Sequence, residues 1–306
     1  MKKNAIIITF IVVLLALSTM SLACDVAVDE NKVAVISLSG PVQTGEPSLF
    51  FGGSAITPQL VRSQLERARV DNAVKAVVLQ IESPGGSVAA CQDILNEMER
   101  MEKPVVVSFG TMAASGGYYI SAKADKIVAL PGTLTGSIGV ISQVPNLSGL
   151  YEKFGIEMEV FTSGKYKDMY AGVRELTLEE RELMQEMSDQ LYDQFVQAVA
   201  EGRGLSEEKV RDLATGQLYT GEQAKELGLV DDLGGLETAI DSAASLAGVE
   251  QPEVEYYKPE TSSLLMSLLE MDLQKLRSFV QLQSVGVEGI ILMETLSNHY
   301  PQPEYR

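Results

Sequence analysis

The chain has 306 residues, 45% of them hydrophobic and 22% charged, with a formal net charge of −18 at pH 7. That length suffices for a large packed domain, while the acidic balance disfavours nucleic acid as a partner and repels the body of the protein from anionic lipid. Two cysteines, Cys24 and Cys91, make no disulfide framework, and the single histidine, His299 in a polar C-terminal tail, leaves a buried Ser/His/Asp triad without a well-placed imidazole.

At the N-terminus, Lys2 and Lys3 precede an apolar run from Ala5 to Leu17, and Ser21-Leu22-Ala23 supplies small residues where a signal peptidase reads. Residues 1–24 are therefore expected to be a cleaved signal peptide or an N-terminal membrane anchor, with the two lysines inside and the body outside the cytoplasm. A lipoprotein cysteine at Cys24 is a minor alternative, because the preceding Ser-Leu-Ala fits such a motif poorly, and a secreted or lipid-anchored form stays open with it. Residues 25–250 read as one α/β domain. Apolar strands near Val33 to Leu38, Val74 to Ile81, Val105 to Phe109, Ile127 to Leu130 and Gly139 to Val144 alternate with helical stretches, the βαβ pattern of a mostly parallel sheet flanked by helices. One helix is predicted from Thr57-Pro58, an N-cap followed by proline, and another from Thr177 through Glu201, opened by the capping-box sequence TLEE. The Gly- and Phe-rich stretch from Gly40 to Pro58 is a candidate for a substrate groove or a subunit contact. Residues 251–306 are expected to be a C-terminal helical extension, amphipathic from Thr261 onward. It packs on its own domain or a neighbouring subunit, or acts as an assembly or lipid-surface element.

The chemistry concentrates in three short segments. In TMAASGGY, Thr111 to Tyr118, Ser115 stands among small residues where a buried strand hands over to a helix, so a substrate backbone can approach its hydroxyl beside unpaired helix-start amides. A plain N-cap serine is the bland reading of the same pattern, and AASGG departs from the G-x-S-x-G of an α/β-hydrolase elbow. In SPGGSV, Ser83 to Val88, a proline and two glycines permit a turn with an outward-pointing amide, and the amides of Gly85 and Gly116 are the candidate oxyanion donors. With imidazole missing, the base for a serine nucleophile is best supplied by a lysine kept neutral near working pH. The segment FTSGKYKDMYAG, which follows the strand-like IEMEV, offers Lys165 and Lys167 on one face of an extended stretch, and spacing alone does not choose between them.

The segments IESPGGSVAACQDI, TMAASGGYYISAKADKIVALPGTLTGSIGVI, TSGKYKD and YTGEQAKELGLVDDLGGLETAI together resemble the signal peptide peptidases of the short-form protease IV type, over about Lys32 to Val249. The resemblance implies a ClpP/crotonase-like fold of repeated ββα units and a serine/lysine dyad; no metal or other cofactor is expected, since the sequence shows no Cys/His cluster and no phosphate loop. It also implies endoproteolysis of hydrophobic peptides, such as released signal peptides, at a membrane. Carried over by motif, the nucleophile falls on Ser115 and the general base on Lys167, the lysine before the aspartate, while Ser137 in TGSIG supports the lysine amine. Membrane anchoring through the N-terminal segment and a homo-oligomeric ring are further implications. One departure is Glu82, where the family more often carries Asn or Asp. The alternatives weighed are a protease acting on a membrane protein's hydrophobic segment, a crotonase-type acyl-CoA enzyme, and a non-catalytic membrane-tethered scaffold.

Overall fold

The computed structural model describes residues 31–45 and 54–257; the expected N-terminal targeting segment, His299 and the amphipathic helix from Thr261 onward lie outside them. The chain divides into two units, Met1–Tyr257 and Lys258–Arg306, and all described residues belong to the first.

Eight strands form one sheet among the described residues: β1 (Lys32–Ser39), β2 (Val74–Ser83), β3 (Val105–Ala114), β4 (Lys126–Ala129), β5 (Leu134–Gly136), β6 (Leu218–Thr220), β7 (Asp232–Leu233) and β8 (Glu253–Tyr257). The order is β6-β5-β3-β2-β1-β8, with β4 pairing both β3 and β7. Every pairing is parallel except β5 with β6, so the expected mostly parallel α/β sheet is what forms. β8, within the stretch read from sequence as an extension, is an edge strand pairing Val33 with Val254 and Val35 with Tyr256.

Burial on both faces explains why the strands read as unbroken β-branched runs. On one face, Ala34, Ile36, Leu38, Val77, Leu79 and Ile81 pack against α1 (Pro58–Val70), α2 (Val88–Glu99) and the C-terminal half of α5 (Leu178–Arg203). On the other, Val33, Val35, Ala76, Val78, Val106 and Val128 pack against Ala239, Ile240, Ala243 and Ala244 of α8 (Leu236–Leu246). The helix starts follow their sequence signals. Thr57 caps α1 with Pro58 at its first turn, and Thr177 and Glu180 make the reciprocal capping box of α5. The remaining helices are α3 (Gly116–Tyr119), α4 (Ser148–Lys153), α6 (Glu207–Leu213) and α7 (Gly221–Glu226).

Two expected strands do not form. Gly139 to Val144 and the alternating IEMEV carry no strand assignment and no ladder partners, and a strand needs a neighbour's amides and carbonyls as well as the right side chains. The segment between β5 and α5 instead presents large apolar side chains to solvent, with Ile141 83%, Phe154 73% and Phe161 90% exposed.

The site is positioned by a change of partner along β3. Val106 to Ser108 pair with β4, whereas Met112 to Ala114 pair with β5. Ser115 leaves the C-terminal end of this strand, at the edge of the sheet where open α/β folds place their ligands.

Candidate active site

Ser115 sits between β3 and the one-turn helix α3, and its backbone adopts φ 51°, ψ −119°. That is a strained conformation for a residue with a side chain. Hydrogen bonds on both sides hold it there: Ser115 N–H donates to the Gly136 carbonyl at 2.8 Å, and its own carbonyl accepts from Tyr119 N–H at 2.8 Å. It occupies the N-cap position of α3, but its hydroxyl makes no capping hydrogen bond, so the bland N-cap role is not the one the side chain plays. The result is a sharp strand-turn-helix arrangement with Ser115 at its turn, reached without the G-x-S-x-G sequence. Beyond the turn, α3 is fixed by the buried Tyr118, whose hydroxyl donates to the Leu229 carbonyl at 2.9 Å, and by Tyr119 stacked on Phe195 at 4.3 Å between ring centroids.

The SPGG turn lies against this serine. A Cβ on Gly85, whose φ is +111°, would stand 2.7 Å from Ser115 Cβ and 2.8 Å from Gly116 N, so only glycine permits the approach. The two glycine amides differ in what they do. Gly85 is buried and its N–H donates to Ser83 Oγ at 3.2 Å. Gly86 is exposed, and neither its N–H nor that of Gly116 has a hydrogen-bond partner among the described residues. These two free amides are close neighbours: a Cβ on Gly116 would lie 2.8 Å from Gly86 N. Parallel bridging to Val42 sets this difference. Val42 N–H donates to the Gly85 carbonyl and its carbonyl accepts from Ser87 N–H, both at 2.8 Å, which leaves the Gly86 amide facing away.

A cavity of about 510 Å³ opens over the serine. Ser115, Gly116, Gly86 and Ser137 line it together with apolar walls from Val88, Tyr119, Ile141, Tyr192 and Phe195. Ser137, like Ser115, is a non-glycine residue at positive φ, 49°, held by its N–H donating to the Gln217 carbonyl at 2.8 Å. Behind the site the buried Cys91 sulfhydryl donates to the Gly116 carbonyl at 3.5 Å, and burial pushes its thiol up to about 12. It is a packing residue, not a reactive thiol.

Of the expected residues, Ser115, Gly85, Gly116 and Ser137 come together. Lys167 is exposed and is not among the residues lining the cavity of a single chain. Its segment is fastened to the start of α5. Lys165 Nζ and the Tyr166 hydroxyl both donate to the Glu179 carboxylate. Arg174 reaches both Asp168, at 2.7 and 2.8 Å, and the buried Glu180, at 2.7 and 2.8 Å. Arg174 holds Glu180 down to about 2 and lowers Asp168 as well. Glu179, with Tyr166 behind it, pushes the Lys165 amine up from its ordinary value. Lys165 is thus ion-paired with Glu179, while the Lys167 amine has no partner among the described residues. Sequence spacing left these two lysines equivalent; their neighbours on α5 do not.

Comparison with known proteins shows the family. Residues 97–250 match the family described as Peptidase family S49, and residues 53–135 match the one described as Clp protease. The chain is similar to a Putative signal peptide peptidase SppA of Enterococcus faecium, at 40% identity over 243 residues that cover 78% of this chain and 70% of that protein. It is also similar to the Putative protease slr0021 of Synechocystis sp., at 41% identity over 227 residues that cover 74% of this chain and 78% of that protein. Protease 4 of Salmonella typhi, 38% identical over 237 residues, is longer: the match covers 76% of this chain and 38% of that protein.

Proposed function

The chain belongs to peptidase family S49 and is a serine-type peptidase, and from that premise we propose that Ser115 is its nucleophile and Lys167 its general base. Its substrates are then hydrophobic peptides, such as released signal peptides, cut internally. The observation that carries this reading is the uncapped Ser115 hydroxyl, held in a strained turn beneath an apolar cavity and beside two amides without partners among the described residues. The Lys167 amine takes the hydroxyl proton as Oγ attacks the scissile carbonyl carbon, and the lysinium so formed returns a proton to the leaving amine. The oxyanion is received by the N–H groups of Gly116 and Gly86. Gly85, the other candidate, serves instead through its missing side chain, because its own amide is occupied by Ser83. Water then attacks the acyl-enzyme with Lys167 again as base, and the Ser137 hydroxyl, which lines the cavity, is assigned the role of orienting the amine once Lys167 is delivered.

Lys167 is exposed outside the cavity of one chain, so the reading includes a homo-oligomer in which a neighbouring copy delivers it. The solvent-facing Ile141, Phe154 and Phe161 of the same segment supply apolar area for such a contact. Attachment through the N-terminal segment, with the catalytic unit outside the cytoplasm, completes the proposal. The apolar run from Ala5 to Leu17 after two lysines supports it, and no helix among the described residues is itself long and apolar enough to cross a membrane.

The test is cleavage of a hydrophobic fluorogenic peptide from neutral to alkaline pH by the parent and by Ser115→Ala, Lys167→Ala and Lys165→Ala. The expected result is a rate rising with pH in the parent and in Lys165→Ala, with the other two inactive though folded, and recovery when those two inactive variants are mixed. Activity lost in Lys165→Ala and kept in Lys167→Ala would reassign the base.

A further inference from the structure

Between Ile81 and Ser83, β2 advances by two residues while its partner β3 advances by four, from Phe109 to Ala113. Gly110, Thr111 and Met112 therefore stand opposite the single residue Glu82 in a three-residue bulge, directly before the strand end that carries Ser115. Successive amides of a regular strand point to opposite edges. Here two successive amides converge on one side chain: Thr111 N–H donates to Glu82 Oε2 at 2.6 Å, and Met112 N–H donates to Glu82 Oε1 at 3.1 Å. The carboxylate supplies the acceptors that the β2 backbone no longer offers at this point. Gly110 makes room for it, since a Cβ there would overlap Glu82 Oε2. The bulge is pinned from the other side by Thr133 Oγ1, which donates to the Gly110 carbonyl at 2.7 Å. After the bulge β3 resumes regular pairing with β5, and Ser115 N–H meets the Gly136 carbonyl. Bulges next to active sites re-aim the side chains that follow them.

We propose that Glu82 is a positioning residue for the nucleophile: by holding the Thr111 and Met112 amides it fixes the bulge in β3 and so the direction in which Ser115 leaves the strand. The inference rests on the reading of Ser115 as nucleophile. Glu82→Gln keeps the size of the side chain, but turns one acceptor into an NH₂ group that faces a backbone N–H. Loss of a charge-assisted hydrogen bond of this kind is expected to lower kcat/KM about tenfold to a hundredfold. The expected loss lies in kcat with KM little changed, because the cavity walls are untouched. The rate of Ser115 phosphonylation by a fluorophosphonate, in which Oγ bonds to phosphorus and fluoride leaves, falls in the same proportion.

Gly110→Ala gives a second route, because its methyl pushes the same carboxylate aside without altering Glu82. The double variant is expected to be no slower than the slower single variant, as both remove one interaction. The experiment measures peptide cleavage, fluorophosphonate labelling and thermal unfolding on full-length parent, Glu82→Gln, Gly110→Ala and the double variant. Parental kcat and labelling rate in folded Glu82→Gln would overturn the proposal, as would a lowered unfolding temperature with full kcat per labelled serine, or additive losses in the double variant. A parent that is not labelled at Ser115 would instead sink the nucleophile assignment on which the proposal stands.

Discussion

Replacing Ser115 by glycine should leave a more stable protein than replacing it by alanine, although both variants lose the hydroxyl and with it all activity. The reason is the backbone at φ 51°, ψ −119°, which glycine adopts freely and alanine does not. A side-chain-bearing residue held in such a region costs about 1–3 kcal/mol, while glycine returns about 0.5–1 kcal/mol through its greater freedom in the unfolded chain. The difference is therefore about 1 kcal/mol in favour of glycine, or about 2–4 °C in unfolding temperature for a unit of this size. Nothing else separates the pair strongly, because alanine keeps only the Cβ that serine already places beside Gly85. The assay is thermal unfolding of the two variants and the parent side by side, followed by circular dichroism, with peptide cleavage confirming that both variants are inactive. Alanine equal to or above glycine would refute the reasoning. The turn would then hold no strain, and the pull of Gly136 on one side and Tyr119 on the other would not be what exposes the hydroxyl.

Gly86→Ala is expected to lower kcat by about 10²–10³, the loss typical of one oxyanion donor, because the new methyl meets the Val42 carbonyl and turns the amide away; steady-state kinetics on folded protein checks it. Cys91 sets an alkaline limit on the fold. Its thiol is raised by burial from 9.0 to about 12, so the native state holds the proton more tightly than the unfolded chain. That contribution is complete below about pH 9 and is lost as pH rises toward 12. The unfolding temperature should therefore fall above pH 9 in the parent and less steeply in Cys91→Ala, and thiol alkylation of the native protein at pH 8 should fail. Arg174→Gln should raise the pH of acid unfolding. Glu180, held down to about 2 chiefly by Arg174, contributes stability that is present above its unfolded value and lost only as pH falls through the folded one. Without the guanidinium that loss moves up toward the ordinary carboxylate range near pH 4, visible in an acid titration of the helical signal, and cleavage falls because Asp168 adjoins Lys167.

How much of this was legible beforehand depended on range along the chain. Strand-to-helix handovers are local, so Ser115 and the starts of α1 and α5 could be read from their own neighbours, from Thr57-Pro58 and from TLEE. The choice between the Gly85 and Gly86 amides was not local. It is made by Val42, which bridges the turn from more than forty residues upstream and fixes which amide faces out. Lys165 and Lys167 were equivalent by spacing because what separates them, Glu179, lies on a helix whose position the alternation of side chains does not encode. The failed strands at Gly139 to Val144 and IEMEV carry the right residues but lack a partner ladder, and partners are a property of the sheet. Glu82 read only as a departure from a motif. Its use appears once the β2–β3 register slips by two residues and leaves two amides for it to hold.

The most direct test of the central claim is to treat the full-length protein with a fluorophosphonate and map the modified residue by mass spectrometry, in the parent, in Lys167→Ala and in Lys165→Ala. The account predicts modification at Ser115 in the parent and in Lys165→Ala, with the rate rising toward alkaline pH, and little or none in Lys167→Ala. Modification of a different serine, or labelling of Ser115 at an unchanged rate in Lys167→Ala, would contradict it.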